Sequence, residues 1–151
     1  MRKIVIKGAE MEQMQEQTFK QCPSCRRTWV DYLDFLADPC LQLIGYQALF
    51  EKLSDGLFLF NHSCGTTLSI AVEALQHLYD GPVFPERVIG SESCPGLCLL
   101  KHETGPCPAE CEGAHVRSIM QIIKQWRKRQ APAEGAGGRP ANQSRFSVHR
   151  N

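Results

Sequence analysis

The chain has 151 residues, 42% of them hydrophobic and 22% charged, which suits one domain with a core of its own and excludes a fibrous or wholly disordered polypeptide. A net charge of +1 leaves no overall field pointing to nucleic acid or to an acidic substrate. No apolar run approaches a membrane span, and Ile4, Val5 and Ile6 alone are too short for a secretory h-region.

A cytosolic setting is therefore expected. There the eight cysteines read as metal ligands or catalytic groups before they read as disulfides. The Asn-x-Ser matches at Asn61 and Asn142 then carry no meaning.

In chain order, Lys3 to Lys7 (KIVIK) has the β-branched run and polar ends of a short strand. A polar, Gln/Glu-rich segment from Glu10 to Gln21 leads to Cys22-Pro-Ser-Cys25. Thr28 with Asp31 has a capping-box pattern. The stripe Trp29, Tyr32, Leu33, Leu36 predicts a helix that Asp38-Pro39 stops. Leu41 to Phe50 predicts a strand, weakened at Gly45, and the apolar run in Gly56 to His62 predicts a buried one. Between them EKLSDG has the residues of a hairpin loop.

Leu68, Ala71, Val72, Leu75, Leu78 and Tyr79 follow i, i+3, i+4, i+7 and predict the clearest helix, capped by Thr66 or Thr67 and ended by Asp80-Gly81-Pro82. Asp80 to Ser93 reads as a loop. From Pro108 to about Arg129 a last helix places Val116, Ile119, Met120, Ile123 and Trp126 on one face. The tail, 131–151, has few large apolar residues and is expected to be disordered. The expected fold is thus α+β: one cysteine-rich domain over 1–130, with a small antiparallel sheet, about three helices and cysteine-rich metal knuckles.

The cysteines carry the chemistry. Cys22 and Cys25 have the two-residue spacing of a metal knuckle, which is half a tetrahedral site. His62-Ser-Cys64, at the end of the buried strand, is the obvious supply of the other half. Cys22, Cys25, His62 and Cys64 would then hold one metal through three sulfurs and a nitrogen.

A second set is written twice. CPGLCLLKH (Cys94 to His102) and CPAECEGAH (Cys107 to His115) share the pattern Cys-Pro-x-x-Cys-x-x-x-His. If each word opens a helix, proline occupies its first position and two thiolates lie one turn apart at the positive end. Cys94, Cys98, Cys107 and Cys111 would close as two helix-start clamps on zinc or on an iron–sulfur cluster. Zinc suits the three-residue spacing better. His102 and His115 exceed what one four-coordinate metal needs and read as surface histidines. His77 and His149 have no role. Cys40, without a near partner, reads as a buried structural thiol.

The string from CPSC through DFLADPCLQLIGYQ, GLFLFNHSCGTTLSI and the twin words resembles an uncharacterised family of small cytosolic bacterial cysteine-rich proteins, over about Cys22 to Trp126. The resemblance implies a bacterial cytosolic setting and nothing about mechanism.

Three functions compete. The first is a zinc-binding, non-catalytic regulatory or protein-interaction protein, with the Ile/Met/Trp face of the last helix either a partner or self-association surface or part of the core. The basic end, Lys124 to Arg129, complements a helix C-terminus more readily than it contacts nucleic acid. The second is an iron–sulfur electron carrier or redox sensor using the twin words. The third is a thiol enzyme with Cys64 as nucleophile and His62 as base, for which no third orienting group is visible. No phosphate loop, Gly-x-Ser-x-Gly or His-Glu-x-x-His motif is present.

Overall fold

The computed structural model describes residues 17–131. The expected strand at Lys3 to Lys7 and, from 132 onward, the expected tail lie outside the described residues. What is described is a mixed α+β fold: a two-stranded and a three-stranded antiparallel sheet with three helices.

Strands β1 (Lys20–Gln21) and β2 (Thr28–Trp29) pair with Lys20 opposite Trp29, which makes the CPSC segment the turn of a small hairpin. Helix α1 (Tyr32–Ala37) begins later than the apolar stripe implies. Trp29 is used by the strand, and the cap is Asp31, whose carboxylate accepts the Asp34 N–H at 2.7 Å. Asp34 in turn accepts the N–H of Val30, the residue before the cap, at 3.2 Å, so a variant of the reciprocal cap sits three residues beyond Thr28. Phe35 and Leu36 face inward, while Leu33 is exposed.

Strands β3 (Leu41–Gln47), β4 (Leu57–His62) and β5 (Thr67–Ala71) form an antiparallel meander with β4 in the centre. The β3–β4 ladder carries a bulge between Leu43 and Gly45. Gly45 is where the backbone of Lys101 crosses β3: a Cβ there would collide with the Lys101 carbonyl, which accepts the Tyr46 N–H at 2.9 Å.

The helix expected over Leu68 to Tyr79 is corrected. Its first half is β5, and only Val72–Leu75 is α-helical (α2), followed by a 3₁₀ turn at Gln76–Leu78. Leu68 and Ile70 are buried between exposed Thr67 and Ala71, a period of two that the helical spacing masked. The physical reason is β4. Its Phe58, Leu59 and Phe60 are all buried, so its backbone needs a partner on both sides, and β5 supplies the second.

The last helix, α3, is Ala114–Lys124, shorter at both ends than the expected 108–129 span. Its Val116, Ile119, Met120 and Ile123 are buried in the core with Trp29, Phe35, Phe58 and Phe60, so this face packs inward rather than toward solvent. Among the described residues, no helix is long and apolar enough to cross a membrane.

Candidate metal centre

The two hairpins put their turns face to face. CPSC joins β1 to β2, and His62-Ser63-Cys64-Gly65-Thr66 joins β4 to β5. Both turns are fixed by the backbone: Arg26 N–H donates to the Cys22 carbonyl at 3.0 Å and Gly65 N–H to the His62 carbonyl at 2.9 Å. Each second cysteine is followed by a left-handed residue, Arg26 (φ 65°) after Cys25 and Gly65 (φ 89°) after Cys64. That reversal turns the next N–H back toward the sulfur, Arg27 toward Cys25 and Thr66 toward Cys64.

Cys22, Cys25, His62 and Cys64 come together as the sequence suggests, with their ligand atoms all within 4.8 Å of one another. Cys22 Sγ lies 3.6 Å from Cys64 Sγ, and His62 Nδ1 lies 2.9 Å from Cys64 Sγ and 3.6 Å from Cys25 Sγ. A tetrahedral metal holding sulfurs at ~2.3 Å and nitrogen at ~2.0 Å needs ligand separations of about 3.5–3.8 Å. The two 3.6 Å separations match that shell, and the 2.9 Å His62–Cys64 approach would open by about 0.6 Å to admit a divalent ion.

Local fields favour the thiolates unequally. The Cys25 and Ser24 N–H groups bring the Cys22 thiol down to about 7 against the opposing effect of burial. Cys64 is lowered first by the Thr66 hydroxyl, then by the Thr66 N–H and His62. At Cys25 the Arg27 N–H lowers the thiol, but desolvation and the adjacent Cys22 and Cys64 sulfurs outweigh it and leave it raised. Three crowded sulfurs ionise together only beside a cation, which a bound metal would supply.

His62 is buried and its ring is packed edge-on by Trp29, with centroids 5.3 Å apart. Trp29 in turn meets Phe35 edge to face, and its indole donates to the Asp38 carboxylate at 2.8 Å. Asp38, 1% exposed, also accepts the Cys40 N–H at 2.8 Å and pairs with Arg27 Nε at 2.7 Å. Burial pushes its carboxyl up, yet the Cys40 N–H, Trp29 and Arg27 together hold it below the ordinary value. In the sequence Asp38 reads only as a helix stop; the dipeptide Arg26-Arg27 ahead of Trp29 is the one hint of a buried anion.

The twin words take a different form from the expected one. They do not open helices: Gly96 is left-handed (φ 74°), Leu97–Leu99 is a 3₁₀ turn, and α3 starts at Ala114 with Gly113 before it. Cys107 is therefore no N-cap, because glycine at 105 and 113 and proline at 106 keep the second word irregular. Among the described residues, the hairpin site is the only group of three or more His, Cys, Asp or Glu placed to hold a metal.

His102 is exposed, as expected, with Nδ1 3.3 Å from the Ile44 carbonyl. His115 is not a surface residue: it is 2% exposed, and neither ring nitrogen has a hydrogen-bond partner. Cys40, expected to be buried, is exposed. Its backbone does the anchoring, donating to Asp38 and accepting the Ser63 N–H at 3.0 Å, while Leu41 takes the inward position. No protein-family model matches the chain, and no curated protein or solved structure is similar to it.

Proposed function

We propose that the protein is a zinc-binding, non-catalytic module of a reducing compartment such as the cytoplasm, with a regulatory or protein-interaction role. The Cys22/Cys25/His62/Cys64 centre clamps its two hairpin turns together. The donor set carries this reading: three sulfurs and one imidazole nitrogen within 4.8 Å fill a tetrahedral shell. A catalytic zinc keeps a fourth position open for water or substrate. The mixed sulfur–nitrogen set suits zinc, which brings no redox chemistry of its own. The clamp is useful here because β1 and β2 are too short to hold as an isolated hairpin, so the metal's binding energy becomes folding energy.

A nucleophilic role for Cys64 is disfavoured by the same geometry. His62 Nδ1 is shared between the Cys64 and Cys25 sulfurs rather than aimed at one thiol by a third group.

Metal content and a visible spectrum test the reading, on protein purified without oxygen and without a metal-binding tag. Colourless protein carrying zinc is expected, and Cys64→Ser should release that zinc and loosen both turns. Brown protein whose iron and sulfide are lost on Cys22→Ser would overturn zinc at this centre. A Cys64→Ser protein with undiminished zinc content and an intact fold would make the residue something other than a ligand.

A further inference from the structure

Between Leu75 and Cys111 not one residue is buried. This long segment nevertheless follows a definite path, touching β3 through Lys101 and His102. Irregular segments of such length need something other than apolar burial to offset their ordering entropy. The twin words lie at its far end.

Three observations bear on what that something is. First, Cys94 accepts the Gly96 N–H at 3.4 Å, aided by left-handed Gly96. Ser24 makes the same i+2 approach to Cys22, and Thr66 to Cys64. Second, the remaining thiols share one neighbourhood. Cys111 Sγ accepts the Val88 N–H at 3.5 Å, and the turn from Val88 through Ser91 delivers Cys94. Cys98 lies within electrostatic reach of both Cys107 and Cys111.

Third, Arg117 is fully buried and, among the described residues, makes no ion pair with a carboxylate. Its guanidinium donates to the Gly105 carbonyl at 2.8 Å and the Glu103 carbonyl at 2.6 Å, and Nη1 points at Cys98 Sγ from 4.0 Å. A buried cation calls for a nearby anion. A zinc ion held by four thiolates is one, with a net charge of about −2.

We propose that Cys94, Cys98, Cys107 and Cys111 close on a second zinc ion, balanced by the Arg117 guanidinium, and that this metal replaces the missing core of the segment. The sulfurs move together on binding, with the chain turning at Gly96 in the first word and at Gly105 just before the second. Each thiol gives up its proton to solvent as its bond to zinc forms. This site stands independently of the hairpin centre.

The test is zinc per chain in the full-length protein, paired with cobalt substitution to read the thiolate-to-metal absorption of each site. Wild type should hold about two zinc ions, and Cys98→Ser/Cys111→Ser about one, with three-sulfur, one-nitrogen cobalt spectra remaining. Arg117→Met should weaken the second site about 10-fold and leave the first unchanged. Cys22→Ser/Cys64→Ser should keep the four-sulfur spectrum, which separates failure of this proposal from failure of the first. Wild type with about one zinc, lost in Cys22→Ser/Cys64→Ser, and with the four twin-word thiols freely alkylated, would overturn it. So would iron with sulfide, or disulfides within the words after anaerobic purification.

Discussion

The two cysteine-rich regions reach order from opposite directions. At the hairpin centre the fold gathers the ligands. Ladders β1–β2 and β4–β5 aim two turns at each other, Arg26 and Gly65 reverse the chain behind each sulfur, and Trp29 holds the imidazole. In the segment from 76 to 110 no buried side chain does this work, and the thiols are neighbours without being a cluster. On the proposed reading, a metal at the first would lock an existing geometry and a metal at the second would create one. A short spacing such as Cys-x-x-Cys is compatible with either. What distinguishes them is whether apolar packing backs the loop.

The sharpest way to break that contrast is to remove ligands on each side. In a Trp126→Phe background, chelation or Cys22→Ser should abolish the near-ultraviolet signal of Trp29. Cys98→Ser/Cys111→Ser should leave it in place while exposing the 82–110 segment to protease. Equal loss of the Trp29 signal in both variants would show that the regions fold as one unit.

Core truncation comes next. Phe35, in edge contact with Trp29 and Phe60 at 5.1 and 5.0 Å, should cost about 3–5 kcal/mol as Phe35→Ala in urea unfolding. Leu99→Ala, on the exposed face of the segment, should stay within about 0.5 kcal/mol. A large Leu99 effect would mean that the segment has a core of its own.

Asp38→Ala should cost about 2–3 kcal/mol, since it strands the Trp29 indole N–H and the Cys40 N–H. Its carboxyl is lowered from 3.8 in the folded state, so the unfolded chain takes up the proton first as pH falls. The stabilisation is complete above the ordinary carboxylate value and is lost as pH drops through the lower folded one. Protons displace metal from thiolates and His62 at higher pH than this. Acid titration should therefore show metal release first and a second loss that is absent in Asp38→Asn. One merged transition in both proteins would contradict this order.

The smallest effects test the left-handed residues. Gly65→Ala meets no atom within 4 Å and should cost only the strain of φ 89°, about 1 kcal/mol. Arg26→Gly, at φ 65°, should gain up to about 1 kcal/mol in thermal melts of the metal-loaded protein. A loss at Arg26→Gly would show that its side chain, and not its backbone, matters.

Much of the first site is legible in the chain. Cys22-Pro-Ser-Cys25 names its knuckle, and Gly65 directly after Cys64 mirrors the reversal that Arg26 makes after Cys25. Less legible is β5, because Leu68, Ala71, Val72 and Leu75 satisfy a helical period while Leu68 and Ile70 also satisfy a strand's. The open edge of β4 decided between them, and that edge exists only in three dimensions. The same is true of Arg117 and His115, polar residues that flank the apolar stripe and yet are buried.

By itself the sequence determined the residue types: four candidate ligands in two short spacings, a repeated dithiol word, apolar runs for β3, β4 and α3, and a charge too small to define a partner. Those are local properties, set by side-chain chemistry and by chain stiffness over a few residues. Only the tertiary structure decided which thiols meet. Two turns far apart in the chain are brought within reach of one metal by strand pairing and by an aromatic core, whereas the two words close in the chain lean on the core only at Cys98 and from Cys111 onward and are not gathered into a ligand cluster.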